Sequence, residues 1–375
     1  MNEGLFTAYD SLSEWKSLLE RLNGPGCTAV YEIAEGERPF LAAALSRRTG
    51  RPVVLVSPTS LIAQRQAQDI ERLTGLPCAA LPAREAQFSR AAASRESTWQ
   101  RLNVLDAVAS GRIRVLCASV ESLLWRCAPR KRFAGAAITL SEGDRYPPDR
   151  LIQTLLQNGY ERVSMVEGQG QCAMRGSIVD VFAPNLSEAV RVEFFDDEVD
   201  SLRRFDCISQ RSVSRVKSVR IAPATECLMD DPSAAADRLL SALQSQPAAS
   251  ERPAAEGDAA LPQLDDFLSA LDAMEATEDL LGSQPPSPAP AQDAAAKRRL
   301  DDVERVRAGQ TIRTAPMWIE LLCGQTSQAI EYAADPIVLV DRPDQFASRI
   351  RAARDEFDSA FEDALYNLLC DGGLR

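Results

Sequence analysis

The turn at residues 34–40 is the place where this sequence comes closest to a nucleotide-binding loop. It reads Ala-Glu-Gly-Glu-Arg-Pro-Phe and lies between an apolar run and a helical pattern. In that position, phosphate-binding loops use backbone N–H groups, a lysine and a hydroxyl. Here Arg38 and Pro39 stand where lysine and threonine would be expected, and two glutamates flank Gly36. Because Pro39 has no N–H and the glutamates repel polyphosphate, we expect a degenerate loop that does not hold ATP.

A carboxylate at the end of a later apolar run is a second candidate. Val340-Asp341 closes the run that begins at Pro336, and an acid in such a place can bind magnesium. Aspartate at a strand terminus is also an ordinary turn former, and that interpretation is preferred.

Catalytic and metal-binding side chains are otherwise scarce. The chain has no histidine, which removes the commonest general base and the commonest metal ligand. The nine cysteines are spread out, and no two of them form a Cys-x-x-Cys pair. A thiolate zinc site therefore has no support, and apolar neighbours favour buried, reduced thiols. We expect no catalytic residue, no metal and no cofactor.

The strongest candidate for a binding surface is the segment 190–199, Val-Arg-Val-Glu-Phe-Phe-Asp-Asp-Glu-Val. With the two-residue period of a strand, the valines share one face with Phe194, while Arg191 and Phe195 share the other. The first face predicts a core, and the second can be open to water. An exposed aromatic beside an arginine is typical of an interface hot spot. The alternative, a covered Phe195 and an Arg191 that only pairs with an acid, is equally compatible with the pattern.

The net charge limits the partners. The chain has 54 acidic and 42 basic side chains, a formal net charge of -12, and so argues against a stand-alone nucleic-acid binder. No segment approaches the roughly 20 apolar residues that cross a bilayer, and the N-terminus has no basic lead. These features predict a cytoplasmic protein that does not bind membranes.

Residues 1–127 alternate between helical patterns and short apolar runs. This rhythm predicts a doubly wound α/β domain with a parallel sheet. The predicted helices are Ser11–Leu22, 59–73 and 94–109, and the predicted buried strands are 28–32, 52–57 and 113–118.

Residues 128–223 predict a small α+β domain dominated by antiparallel strands. Its helix is expected at 148–158, and Asp196-Asp197 is turn chemistry for a hairpin. The expected strands are 160–166, 173–182, 189–195, 199–205 and 216–221.

The rest of the chain divides into a linker and a return. Residues 224–315 are mostly irregular, with proline-rich or alanine-rich linkers at 244–262 and 282–296 and a short acidic helix at 264–281. Residues 316–375 bring a strand at 336–341 and a helix at 342–369. We expect this strand to rejoin the first sheet, which makes the middle domain an insertion.

Several stretches resemble the UvrB-homology region of bacterial transcription-repair coupling factors. The longest runs from Gly159-Tyr160 through Gln171-Cys-Ala-Met-Arg-Gly-Ser to Arg191–Asp206. Ser94-Arg-Glu and Ala118-Ser-Val-Glu-Ser-Leu-Leu are also similar to the family. The resemblance covers about residues 50–223, is weak before residue 50 and poor over 224–315, and returns at 336–357.

The resemblance implies a fold and a partner. The first and last segments would form a P-loop-NTPase-like or helicase-like domain whose ATP loop is degenerate, and the inserted domain would bind the excision-repair protein UvrA. The family's contact residues fall on Arg175, Arg191 and Phe195, with arginine hydrogen bonds to UvrA and Phe195 as apolar anchor. Arg203, Arg204 and Arg211 are rim charges in this interpretation.

The family's other activities lie in further domains. Family members continue into an RNA-polymerase-binding domain and an ATP-dependent DNA translocase, so we expect RNA polymerase and DNA as partners only of a longer parent protein. The favoured hypothesis is a non-catalytic module that recruits UvrA in transcription-coupled nucleotide excision repair. An active helicase-type ATPase that acts on DNA, with Arg38 in place of lysine, is the alternative.

Overall fold

The computed structural model describes residues 3–84 except 23 and 25, residues 95–244, and residues 300–371 except 313, 314, 316 and 317. The chain divides into two compact units. Unit 1 comprises 1–84, 100–134 and 327–351, and unit 2 comprises 85–99, 135–326 and 352–375. The linkers and the acidic helix predicted within 245–299 lie outside the described residues.

Unit 1 contains a four-stranded parallel sheet. Its strands are β1 (Val53–Ser57), β2 (Cys78–Leu81), β3 (Val115–Ser119) and β14 (Ile337–Val340), in the order β14-β1-β3-β2. β1 and β3 are buried at every position, as the continuous apolar runs of a parallel sheet require. β14 lies parallel to β1 with Ile337 beside Val53. The chain thus returns to its first sheet after the 135–326 segment of unit 2.

Helices accompany these strands. They are α1 (Glu3–Ser11), α2 (Ser13–Arg21), α3 (Arg38–Thr49), α4 (Ser60–Thr74), α5 (Arg95–Ala109), α6 (Val120–Leu124) and α7 (Arg130–Ala136). The sequence signals for α4 are clear: the Thr59 hydroxyl accepts the Ile62 N–H at its start, and Gly75 ends it in a left-handed conformation. Trp15 of α2 is buried in the core that α3 forms with β1. A short antiparallel pair, β4 (Arg126–Cys127) with β13 (Ser327–Gln328), completes unit 1.

The buried strand predicted at 28–32 is wrong. These residues form no strand, and the Tyr31 side chain is 81% exposed. Glu32 takes a left-handed conformation with φ 62°, which interrupts an extended chain. The two edge strands of the sheet are instead β14 and β2. The sequence pattern did not predict β2.

Unit 2 is built on a six-stranded sheet in the order β11-β10-β9-β8-β7-β6. Helix α8 (Pro148–Gln157) places Leu151 and Leu155 in one core with alternate strand residues. A second pair joins β5 (Ile138–Ser141) to β12 (Ser218–Ile221). The six strands are β6 (Glu161–Arg162), β7 (Gln171–Arg175), β8 (Ile178–Phe182), β9 (Ala189–Phe195), β10 (Glu198–Phe205) and β11 (Ser212–Val216).

One predicted run proves to be two strands. The stretch 173–182 turns back at Gly176, which has φ 59°, so β7 and β8 form a hairpin with Arg175 opposite Ile178. The hairpin predicted at Asp196-Asp197 is confirmed, with Asp196 at φ 58° and β9 antiparallel to β10.

Further helical segments follow the sheet. They are α9 (Pro232–Gln244), α10 (Ile319–Cys323) and α11 (Phe346–Asp371), and residues 300–307 are also helical. None of the described helices combines the length and the apolar character that a bilayer crossing requires.

Gly170 allows a close approach that can be tested. A Cβ at this position would lie 2.4 Å from the Trp99 ring, and its φ of +79° disfavours any side chain. We expect Gly170→Ala to lower the free energy of unfolding by about 2 kcal/mol or more. Gly176→Ala is the matched control, because its φ is +59° but no atom lies within 4 Å. Urea unfolding that gives equal losses for both variants would contradict the packing argument.

Candidate functional site

The face of the six-stranded sheet opposite α8 carries the predicted binding residues, and we call it the outer face. Val190, Val192 and Phe194 of β9 belong to the core with α8, so the alternate residues point the other way. The outer face is defined by β7 (Gln171, Ala173, Arg175), β8 (Ile178, Asp180, Phe182), β9 (Ala189, Arg191, Glu193, Phe195) and β10 (Ser201, Arg203, Phe205).

Arg191 is engaged within the sheet. Asp180 lies directly opposite it on β8, and the Arg191 Nε and Nη2 atoms donate to the two Asp180 carboxylate oxygens at 2.7 and 2.8 Å. The Arg191 guanidinium also lies 4.7 Å from the centre of the Phe205 ring. The Arg191 side chain is 19% exposed and the Asp180 side chain is 3% exposed. The hydrogen bond to Asp180 raises the pKa of Arg191.

The expectation of an open Arg191 beside Phe195 is therefore corrected. The alternative from the sequence, an arginine paired with an acid, describes Arg191 better. Its partner is Asp180 on β8, because directly paired residues on adjacent strands lie within reach of each other on one face. The sequence did not predict this pairing, because the pattern over 173–182, which contains Asp180, indicates a single strand.

Phe195 is exposed, which is one of the two interpretations that the sequence pattern left open. Its side chain is 79% accessible, and it ends β9 immediately before the turn at Asp196. A phenyl ring in water at a hairpin end contributes little to the core of its own fold. Phe195 is thus available to a partner.

Arg175 lies at the same end of the sheet as Phe195. It ends β7, and the Ser177 carbonyl on the following turn accepts the Phe194 N–H. The Arg175 side chain is exposed, and its Nε and Nη2 donate to the Ser164 carbonyl at 3.2 and 3.0 Å. By strand spacing, the β7 and β9 backbones are about 10 Å apart. The two residues can touch one protein partner.

Three further arginines were expected at the rim of this surface. Arg203 lies 3.6 Å from Glu193, whose other contact is a 2.5 Å hydrogen bond from Ser201. Arg204 lies 3.7 Å from Glu188, and both arginines are more than 40% exposed. Arg211 is exposed in the turn between β10 and β11. Surface pairs of this kind are worth at most about 1 kcal/mol.

Residues 138–227 match the family model of the UvrB interaction domain. The match begins with β5, ends six residues after β12 and includes the whole six-stranded sheet. Residues 138–227 are thus similar to a UvrB interaction domain, and we use that term for this segment. Its outer face therefore includes Arg175, Arg191 and Phe195.

Curated relatives extend the similarity over the N-terminal part of the chain. The chain is 30% identical over 219 residues to the transcription-repair-coupling factor of Bacillus subtilis, which is 58% of this chain and 19% of that protein. It is 32% identical over 211 residues to the factor of Escherichia coli, 56% of this chain and 17% of that protein. The UvrB interaction domain thus lies in a region similar to these factors, and the matches span less than a fifth of their length.

Outside the UvrB interaction domain, unit 1 contains the predicted nucleotide loop. Gly36 lies in a short 3-10 turn, Glu35–Glu37, and a Cβ on Gly36 would meet no atom within 4 Å. Arg38 and Pro39 begin α3, where the missing N–H of proline does no harm. None of the described residues before this turn forms a strand, so they do not provide the arrangement of strand, loop and helix on which the prediction relied.

Arg38 makes an ion pair at the carboxyl end of β1. Its Nη1 lies 2.5 Å from Oδ1 of Asp341, whose side chain is 3% exposed. Gln66 donates to the other Asp341 oxygen at 3.0 Å and accepts a hydrogen bond from the Ser57 hydroxyl. Asp341 is thus not an ordinary turn former, contrary to the interpretation that the sequence favoured. Its long-range partners, 303 and 275 residues away, gave no local signal.

Flanking acids at this loop are also engaged. A Glu35 carboxylate oxygen lies 3.0 Å from the Arg342 guanidinium, and Glu37 accepts the Ala34 N–H at 3.4 Å. In the part of the chain that the structure describes, no group of three or more cysteine, aspartate or glutamate side chains is arranged to hold a metal ion.

The Asp180–Arg191 pair predicts a stability effect. Arg191→Ala would leave the Asp180 carboxylate buried without its guanidinium, so the free energy of unfolding should fall by about 3 kcal/mol. Arg204→Ala, which removes a loose and half-exposed pair, should change it by less than about 1 kcal/mol.

Adding Asp180→Ala to Arg191→Ala should restore part of the lost stability, because the uncompensated charge is gone. Chemical unfolding with circular dichroism measures these three variants and the single variant Asp180→Ala, which completes the cycle. Additive losses in the double variant would show that the two side chains are not coupled.

Proposed function

We propose that this chain is a non-catalytic docking module that recruits UvrA in transcription-coupled nucleotide excision repair. The observation that carries the proposal is Phe195, a 79% exposed phenylalanine at a hairpin end of a UvrB interaction domain. Buried aromatic anchors surrounded by polar contacts dominate the energetics of protein interfaces. A ring left in water by its own fold fits that role.

The three predicted contact residues would act differently. Phe195 would enter an apolar pocket of UvrA. Arg175 would supply charge-assisted hydrogen bonds, because its guanidinium has five N–H donors and Ser164 uses only two of its nitrogens. Arg191 would act mainly through the sheet, because Asp180 already receives its bidentate hydrogen bonds.

The family resemblance supports the choice of UvrA. The family model of the UvrB interaction domain matches residues 138–227, and the relatives are named transcription-repair-coupling factors. Contacts to RNA polymerase and DNA would belong to further domains of a longer protein. The chain's net charge of -12 also disfavours DNA as a direct partner of this part.

The proposal that the chain is not an ATPase rests on unit 1. Its helicase-like sheet would have lost nucleotide binding, because the cation that could face phosphate, Arg38, is paired with the buried Asp341. The adjacent Pro39 offers neither an N–H nor a hydroxyl. A nucleotide would have to break this ion pair and leave the Asp341 carboxylate uncompensated.

Binding to purified UvrA tests the docking role. Phe195→Ala should weaken the affinity at least about 30-fold, the equivalent of a hot-spot loss of about 2 kcal/mol. Ile208→Ala is the matched control, because Ile208 is 95% exposed in the turn after β10, at the far end of that strand. Calorimetric titration that gives the wild-type affinity for Phe195→Ala would overturn the site, and wild-type protein without UvrA binding would overturn the function.

Nucleotide binding separates the docking module from the helicase-type alternative. We expect a fluorescent ATP analogue with magnesium to show no saturable binding at analogue concentrations up to about 1 mM. A Kd of about 1 mM corresponds to a binding free energy of only about 4 kcal/mol. Wild-type chain and Arg38→Ala should give the same flat titration. Saturable binding that Arg38→Ala abolishes would favour an ATPase instead.

A further inference from the structure

Two buried cysteines from distant parts of the sequence meet in unit 2. The sulfur atoms of Cys227 and Cys323 lie 3.6 Å apart, although the residues are separated by 96 positions. Cys227 is 2% exposed and Cys323 is fully buried. Two thiols in van der Waals contact are in a starting geometry for a disulfide.

The backbone around Cys323 is held in place. Cys323 is the last residue of α10, and Gly324 follows it in a conformation with φ 68°. Arg238 of α9 donates to the Leu321 carbonyl at 2.6 Å and the Leu322 carbonyl at 3.4 Å. These bonds satisfy free carbonyls at the end of α10. They fix the position from which the Cys323 sulfur points at Cys227.

The backbone around Cys227 belongs to an irregular segment. Cys227 lies between β12 and α9, outside any helix or strand, and its N–H donates to the Thr225 hydroxyl at 3.0 Å. A disulfide bond is about 2.05 Å long, so the two sulfurs must approach by about 1.5 Å. A loop residue that moves toward a fixed helix end can supply this displacement without disturbing the sheet.

We propose that Cys227 and Cys323 form a reversible disulfide when hydrogen peroxide oxidises the chain. The thiolate of one cysteine attacks a peroxide oxygen, the O–O bond breaks, and a sulfenic acid and hydroxide form; the hydroxide takes up the proton that the first thiol lost and becomes water. The second thiol attacks the sulfenic sulfur, the S–S bond forms, and water leaves. Two thiols are oxidised and one peroxide is reduced to two waters. A small oxidant is required because both sulfurs are buried.

This disulfide would close a long loop. Cys227 is the last residue matched by the UvrB interaction domain, and Cys323 ends α10, so the bond would tie the end of that domain to the segment after residue 300. Closing residues 228–322 restricts the unfolded chain, and longer loops give larger stabilisation. Oxidation would therefore raise the thermal stability of unit 2 without changing the outer face.

Peptide mapping of the full chain tests this directly. The protein is treated with hydrogen peroxide, quenched with an alkylating agent under denaturing conditions and digested without reduction. We expect a cross-linked peptide that contains Cys227 and Cys323, its loss after dithiothreitol, and an increase of several degrees in Tm before reduction. Cys323→Ser should abolish the cross-link and the increase in Tm.

Cys172→Ser is the matched control. Cys172 is as deeply buried in unit 2 as the proposed pair, but it belongs to the core with α8 and not to the Cys227–Cys323 contact. This variant should retain the cross-link and the Tm shift. The proposal is overturned if Cys227 and Cys323 are recovered as alkylated, unoxidised thiols at a peroxide dose that oxidises the exposed Cys27. It is also overturned if they pair with other cysteines. The mapping on wild-type chain decides this even where a variant fails to fold.

Discussion

The bidentate contact between Asp180 and Arg191 is the interaction on which the proposed binding surface depends. A carboxylate that is 3% exposed requires a partner, and Arg191 on the adjacent strand supplies both hydrogen bonds. The guanidinium then lies against Phe205, and Val166, from outside the strands, packs in one buried cluster with Phe205, so the middle of the outer face is covered. What remains outward at the hairpin end is Phe195. A rigid sheet that presents one ring needs little reorganisation to bind a partner.

Unit 1 shows the same principle at a different place. Asp341 is buried at the carboxyl end of β1 and is satisfied by Arg38 and Gln66, where parallel α/β sheets commonly bind ligands. The cation is Arg38, which is 303 residues away from Asp341 in sequence and binds it at the end of β14. The two units therefore use buried ion pairs in different ways: one supports a surface for a partner, and the other fills the edge of a sheet.

Local pattern predicted much of this structure. The alternation around Val190, Val192 and Phe194 indicated the core face correctly, and Asp196-Asp197 marked the hairpin turn. The exposure of Phe195 was one of two interpretations that the pattern allowed. Three contacts were not predicted, because each joins residues on different elements and no spacing along the chain identifies the partner. They are Asp180–Arg191, Arg38–Asp341 and Cys227–Cys323. The strand predicted at 28–32 failed for a related reason: an apolar run forms a strand only where a sheet has room for it.

Hydrogen exchange of the chain with and without UvrA tests the central claim most directly. If the outer face is the docking surface, amides of the two turns at its Phe195 end, residues 175–178 and 194–198, should gain protection in the complex. Amides of α8, on the opposite face of the sheet, should exchange as in the free chain. Protection confined to α8 or to unit 1, with none at 194–198, would contradict the account.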